Sequence, residues 1–305
     1  MLRLPRLTTL VLIVLFATLL SAAGAMASPG AQTAPGPGSA ASFAVLGGQT
    51  VTNTGPTTIF GDLGVSPGSA ITGFPPGSLT GGATHKADAV ALQAQSDVTI
   101  AYDDLAGQAC TGDITGQDLG GQTLTEGVYC STSSSQLTGA LTLDAQGNAD
   151  AVFIFQMVST LTTASNSSVS VINGGTACNV FWQVGSSATL GTTTQFVGNI
   201  LALTSIALQN NADVVGRALA RNGEVTMDTN NATIQGCPGA PAAPTATPTG
   251  TPTVPGLPST GGAPLQNGGF PWIVVLVASV MGGLGAVVLV LSVLGLKAPA
   301  QRRRE

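Results

Sequence analysis

The sequence predicts an all-β fold: a β-solenoid with three strands per coil, one long α-helix along one face, and a transmembrane helix near the C-terminus. Three observations carry this. Only 8% of the 305 residues are charged while 44% are hydrophobic, too apolar for disorder. The remainder is rich in Gly, Thr, Ser, Ala and Asn, which suits short strands joined by tight turns. Second, apolar residues recur about every 18–19 positions, as in Leu190, Leu208 and Met227, or Val197, Val215 and Ile234, or Leu201 and Leu219. Leu143 and Leu161 continue the series, with one break between Leu161 and Leu190 that holds Gly174, Gly175 and Cys178. A repeat of this length holds three short strands and three turns, one coil that buries its inward residues on its neighbours. Third, one segment alone has a long helical stripe.

The elements follow in chain order. Arg3 and Arg6 precede an apolar run from Leu10 to Leu20 and the small-residue stretch Ala25-Met26-Ala27. This is a secretory signal, 1–27, with cleavage after Ala27; the run falls short of the ~20 residues that span a bilayer. A short linker, 28–41, leads to a folded domain, 42–238. The helix runs from Thr84, its expected N-cap, to Leu105, with Ala87, Val90, Ala91, Ala94, Val98, Ala101 and Leu105 on one stripe. The first strand of each coil is apolar on both faces, as in Val152-Phe153-Ile154-Phe155 and Val180-Phe181-Trp182. Such a strand needs a cover on each side, and the helix supplies one. The second strand presents Thr142 and Asp144, Thr160 and Thr162, Thr189 and Thr193, then Ala207, Gln209 and Asn211, and finally Thr226, Asp228 and Asn230. Thr50, Thr52 and Thr54 extend the same face. Stacked strands lie ~4.8 Å apart and alternate residues ~6.6 Å apart, so the expectation is a flat grid of hydroxyls, amides and methyls. The third strand turns Val169, Val197, Val215 and Ile234 inward.

Export places Cys110, Cys130, Cys178 and Cys237 in an oxidising exterior. Three pairings are possible; the sequential one, Cys110–Cys130 with Cys178–Cys237, is favoured, and with a single histidine and no CxxC pair no metal site is expected. From 239 to 256 the chain is a Pro/Thr-rich spacer. Leu257-Pro258-Ser259-Thr260-Gly261 follows, then a segment, 270–296, that is uncharged from Trp272 to Leu296 and long enough to span. Lys297, Arg302, Arg303 and Arg304 close a basic cytoplasmic tail, 297–305. LPxTG, apolar span and basic tail together resemble the sorting signal of sortase substrates. The resemblance implies cleavage after Thr260 and transfer to the cell envelope; a plain membrane anchor is the alternative, and both leave the domain outside the cell.

The folded stretch holds the segments Phe43-Ala44-Val45-Leu46-Gly47-Gly48, Gly61-Asp62-Leu63-Gly64-Val65-Ser66-Pro67-Gly68, Gly127-Val128-Tyr129-Cys130, Val180-Phe181-Trp182-Gln183-Val184-Gly185 and Gly216-Arg217-Ala218-Leu219-Ala220. Through these, the stretch from about Ser42 to Ile234 resembles the microbial ice-binding family. The resemblance implies an irregular three-faced solenoid of right-handed type with one flanking helix, and ice contact on the flat strand face away from it. Carried onto this sequence, the contact candidates are Thr142, Thr160, Thr162, Thr189, Thr193, Asn211, Thr226 and Asn230. Asp144, Gln209 and Asp228 interrupt that array and Ala207 replaces a threonine, which lowers the expected ice affinity.

The remaining residues argue against other classes. His85 has no nucleophile pattern beside it and reads as a surface histidine. Asp103-Asp104 reads as loop hydrogen bonding rather than a catalytic pair, and glutamate is scarce, with Glu126 and Glu224 in the domain. Calcium-solenoid repeats are absent, and Asn166-Ser167-Ser168, a glycosylation sequon, reads as a surface turn. A net charge of −5 gives no nucleic-acid footprint. The expected protein is not an enzyme and takes no cofactor. Its expected partners are ice or ordered water, sortase, the envelope and, through the C-terminal helix, the membrane. The alternative is an adhesin or envelope module that uses the same face for polysaccharide.

Overall fold

The computed structural model describes residues 32–240. The signal segment, the LPxTG motif, the apolar span and the basic tail lie outside the described residues. Three parallel sheets of nine, seven and eight strands form the walls of a three-sided solenoid. Each coil passes from the first sheet to the second and then the third, and the ladders between strands are parallel throughout.

The winding is not in chain order. The first sheet runs 84–86, 62–65, 43–47, 218–220, 199–202, 180–184, 153–157, 127–131, 112–113. The first coils therefore stack on the last one, with Val45 opposite Ala218 and Thr52 opposite Thr226. The helix α1 (Ala89–Gly107) carries the chain from one end of the solenoid to the other. Nineteen helical residues span about 28 Å, against about 38 Å for nine strands, so the helix reaches along most of the first sheet.

That sheet is buried on both faces, and its alternation divides the core in two. Phe153, Phe155, Trp182, Val184 and Ile200 point into the solenoid, where Phe155 and Trp182 stack with centroids 4.0 Å apart. Ile154, Phe181, Leu201 and Leu219 point outward onto Ala91, Ala94, Val98, Ala101, Tyr102 and Leu105 of α1. The sheet also caps the helix: the Gln156 amide donates to the carbonyls of Leu105 and Gln108, at 2.6 and 2.9 Å.

Several expectations change. The helix begins at Ala89, not near Thr84. Thr84-His85-Lys86 forms an edge strand on Leu63–Val65, Ala87 has φ of 50°, and the Asp88 carboxylate caps Ala91 N at 2.8 Å. His85 thus sits on a strand, its Nδ1 2.8 Å from the same Asp88 carboxylate. Val90, expected on the buried stripe, is exposed. The short repeat holds only late in the chain: Ala188, Ile206 and Val225 are in register, whereas Ser135 aligns with Leu161 and Leu161 with Ala188, 26 and 27 residues on by number. Longer turns in the early coils cause this, and the spacing from Leu143 to Leu161 is a coincidence between two sheets. Val197 and Val215 face out of the third sheet, because Phe196 and Val214 between them fill the core. Both disulfides are the sequential ones, Cys110–Cys130 and Cys178–Cys237.

Candidate functional site

The second sheet is ordered 135–137, 161–163, 188–190, 206–208, 225–228, 50–54, 70–72. The strands 135–137, 161–163, 188–190 and 206–208 turn their first and last residues inward and their middle residue out, whereas 225–228 turns Val225 and Met227 inward, 50–54 turns Val51 and Asn53, and 70–72 turns Ile71. Leu137, Leu161, Leu190, Ile206, Leu208, Val225 and Val51 are fully buried or nearly so. Each strand contributes one outward residue to a common line. Register places these in one column: Gln136, Thr162, Thr189, Ala207, Thr226, Thr52, Thr72. Five of the seven are threonines and none is charged. A parallel ladder holds them at one height about 4.8 Å apart. Each threonine has a methyl and a hydroxyl on a stiff β-branched side chain.

A second column flanks the first. Thr160 donates its hydroxyl to Ser134 Oγ at 2.9 Å, the hydroxyls of Ser187 and Ser205 accept the backbone N–H of Ser205 and Glu224, and Thr50 Oγ1 donates to Glu224 Oε2 at 3.3 Å. On the other side Asp228 stands opposite Thr54 and accepts the Thr229 hydroxyl at 3.0 Å. The two carboxylates lie toward one end and off the central column.

The edge between the second and third sheets has its own ladder. Every coil turns there on a residue with left-handed backbone: Gly139, Asn166, Thr193, Asn211, Thr229, Gly55 and Gly73, with φ between 56° and 94°. After the four non-glycine corners the next residue points inward, and Ser167, Thr194, Ala212 and Asn230 are buried. Thr163 and Thr194 share a hydrogen bond at 2.9 Å inside this edge. Asn230 Nδ2 donates to the carbonyls of Gln209 and Ala212, both at 2.8 Å, and its Oδ1 accepts Asp228 N.

The predicted contact residues therefore separate. Thr162, Thr189 and Thr226 share the central column and Thr160 the flanking one. Thr193 and Asn211 are exposed corner residues at the rim. Asn230 is 3% exposed and serves the corner backbone, so it cannot touch a surface ligand. Thr142 and Asp144 belong to the third sheet, on the strand Ala140–Asp144 between 123–125 and 168–172. Asp144 is thus no interruption of the flat face. Its carboxyl is held below the ordinary range by the Asn173 amide and the Gln146 N–H. Gln136 and Thr72 were missed. Gln136 was hidden by the longer early coils, and Thr72 by a pairing that joins the two ends of the domain.

Among the described residues no group of three or more His, Cys, Asp or Glu converges as a metal site, and no helix is long and apolar enough to cross a membrane. Asp103 forms an ion pair with Arg221 at 3.4 Å rather than facing a second carboxylate. What the domain offers is a stiff, flat, nearly uncharged array of threonines.

Residues 45–233 match the ice-binding-like family. The chain belongs to that family. An ice-binding protein of Nostoc sp. (strain HG1) is 60% identical over 194 residues, covering 63% of this chain and 71% of that one. The crystal structure of an ice binding protein from an Antarctic biological consortium is similar, with 50% identity and a TM-score of 0.65, over 67% of this chain and 92% of that one. A third, from the Antarctic ascomycete Antarctomyces psychrotrophicus, has 43% identity and a TM-score of 0.64, over 67% and 99%.

Proposed function

We propose that this chain binds ice through the outer face of the second sheet, and that it does so from the cell surface. The observation that carries the reading is the central column from Gln136 to Thr72. Ice presents a repeating array, and a ligand of that kind is met by many weak contacts at fixed spacing. A rigid parallel ladder adds such contacts without an ordering cost for each. The methyls exclude liquid water while the hydroxyls hold ordered water. Membership of the family and the names of the relatives support the same reading.

The surface location rests on the signal segment and on the sorting signal at Leu257-Pro258-Ser259-Thr260-Gly261 followed by the apolar span. On this reading the chain is a non-enzymatic binding protein, held outside the cell by sortase transfer to the envelope or by the span itself. Measuring ice-recrystallisation inhibition by the purified chain tests the first part. Inhibition at micromolar concentration is expected; none at high micromolar concentration, with the fold intact by circular dichroism, overturns it. A glycan array beside that assay distinguishes the polysaccharide adhesin.

A further inference from the structure

Each coil runs from the first sheet to the second, to the third and back, so the edge between the third and first sheets lies opposite the second sheet. That edge is unlike the other two. Arg217 is buried there, 4% exposed, and no carboxylate pairs with it among the described residues. Burial lowers its pKa to about 10, which leaves it charged at neutral pH. A buried cation without a counter-ion is costly, and here it is offset by a fan of neutral acceptors. Nε and Nη2 donate to the Ala41 carbonyl, Nη2 to the Pro238 carbonyl at 3.0 Å, and Nη1 to Asn199 Oδ1 at 2.8 Å. The Asn199 amide in turn donates to the carbonyls of Cys178 and Val180, at 3.1 and 3.0 Å. Cys178 is bonded to Cys237 across a separation of 59 residues.

The approach of these corners is close. Gly198 and Gly216 turn there with φ of 119° and 144°, and a Cβ on Gly216 would meet the Gly198 carbonyl. Corners of three successive coils, the entering arm at Ala41 and the departing chain at Pro238 are thus tied at one place. The described chain leaves from this edge, three residues after Cys237. The last strand, Asn231–Thr233, is short and lies inside the third sheet between 213–215 and 58–60. A pull from Ala240 would peel that strand out from its end. The bridge intercepts the pull at Cys237 and passes it to Cys178, at the start of the five-residue strand Val180–Val184 in the middle of the nine-stranded sheet.

We propose that the edge built from Arg217, Asn199 and the Cys178–Cys237 bridge is a tension clamp, which keeps the domain folded when its flat face is fixed to ice and its C-terminal continuation is pulled. The function it adds is adhesion: holding a cell to ice against flow. It rests on the two readings above, that the second face meets ice and that the tail is anchored.

The test uses cells displaying the full chain, held on ice in a flow chamber. Surface amount is read with an antibody, capture on ice is read at rest, and retention is read as shear rises. Cys178→Ser with Cys237→Ser should leave display and capture at rest unchanged and reduce retention under shear several-fold. Cys110→Ser with Cys130→Ser, which opens the bridge at the far end of the solenoid, should retain cells like the wild type. In cells with that second pair replaced, adding a membrane-impermeant reductant after capture cuts the remaining bridge in a domain already folded, and cells should then detach. Undiminished retention in both arms overturns the clamp. Wild-type chain absent from the surface, or displayed but not captured at rest, overturns the anchoring or the ice-facing reading respectively, and the clamp with it.

Discussion

The second and third sheets are both outer walls of the same coils, yet they present different surfaces. The second sheet lines up one outward residue from each strand, and five of the seven are threonines. The third alternates more freely. Its outward columns hold Ser168, Gln195 and Asp213 in one line, and Val197, Val215, Thr233, Phe60 and Thr80 in another. An aspartate, a phenylalanine and a valine that is 42% exposed share that wall. Both walls turn mainly apolar residues inward, so core packing does not demand the uniform outer column. Uniformity on one wall alone is a property of the surface, which is why we propose that wall for the ligand.

The largest effect that can break this comparison is steric. Thr189 stands in the column between Thr162 and Ala207. Thr189→Tyr raises a ring above the plane and holds the face off a crystal. Ice-recrystallisation inhibition should fall at least ~10-fold, while the melting temperature barely moves, since exposed substitutions usually cost within about 0.5 kcal/mol. Full activity in Thr189→Tyr would remove the second face from consideration.

Asn230 sharpens the boundary between contact and support. Asn230→Ala leaves the carbonyls of Gln209 and Ala212 without the amide and Asp228 N without its acceptor. Buried polar groups orphaned this way cost about 1–3 kcal/mol, roughly 2–12 °C for a domain of this size. The folded fraction should keep its ice activity. A drop in activity with no change in melting temperature would instead make Asn230 a contact.

Ala207 is the gap in the threonine column. Ala207→Thr adds the missing hydroxyl between Thr189 and Thr226 and should raise inhibition by a few-fold, measured as the lowest active concentration. An unchanged or weaker endpoint would mean that the column is not read as a continuous array.

How much of this was legible in the sequence follows from which forces act locally. The helix, the two-sided burial of the first sheet and the threonine strands showed through composition and spacing, because each depends on residues close in the chain. Thr162, Thr189 and Thr226 fall on the second sheet, as expected, because the later coils share nearly one length. Thr142 and Asp144 were assigned to the wrong wall because the turns before residue 180 are longer, and a constant period carries the count onto the next sheet. Asn230 was misplaced by alternation: the left-handed turn at Thr229 flips the next side chain inward. The stacking of 50–54 on 225–228 left no periodic signal, since a helix crossing separates the two segments. Arg217 could be read only as part of a motif; its partners come from Ala41, Asn199 and Pro238, which only the fold brings together.

The smallest expected effect is the control for the first. Asp213 is a poor control position, because its Oδ1 accepts the backbone N–H of Asn231 at 2.7 Å and a substitution there would loosen the next coil. Gln195 is better. It is exposed at the middle of the third sheet, opposite Ser168 and Asp213, and its one side-chain bond is a 3.3 Å contact to Asp213 Oδ2 at the surface. Gln195→Tyr places on the third wall the same ring that Thr189→Tyr places on the second. Tyrosine is also well tolerated in strands, so the fold should hold. Inhibition of ice growth and the melting temperature should both match the wild type within error. If Gln195→Tyr loses activity while Thr189→Tyr keeps it, the ice-facing surface is the third sheet. If both lose it, the two walls act together across the corner that Thr193 and Asn211 form, and the rim becomes part of the site.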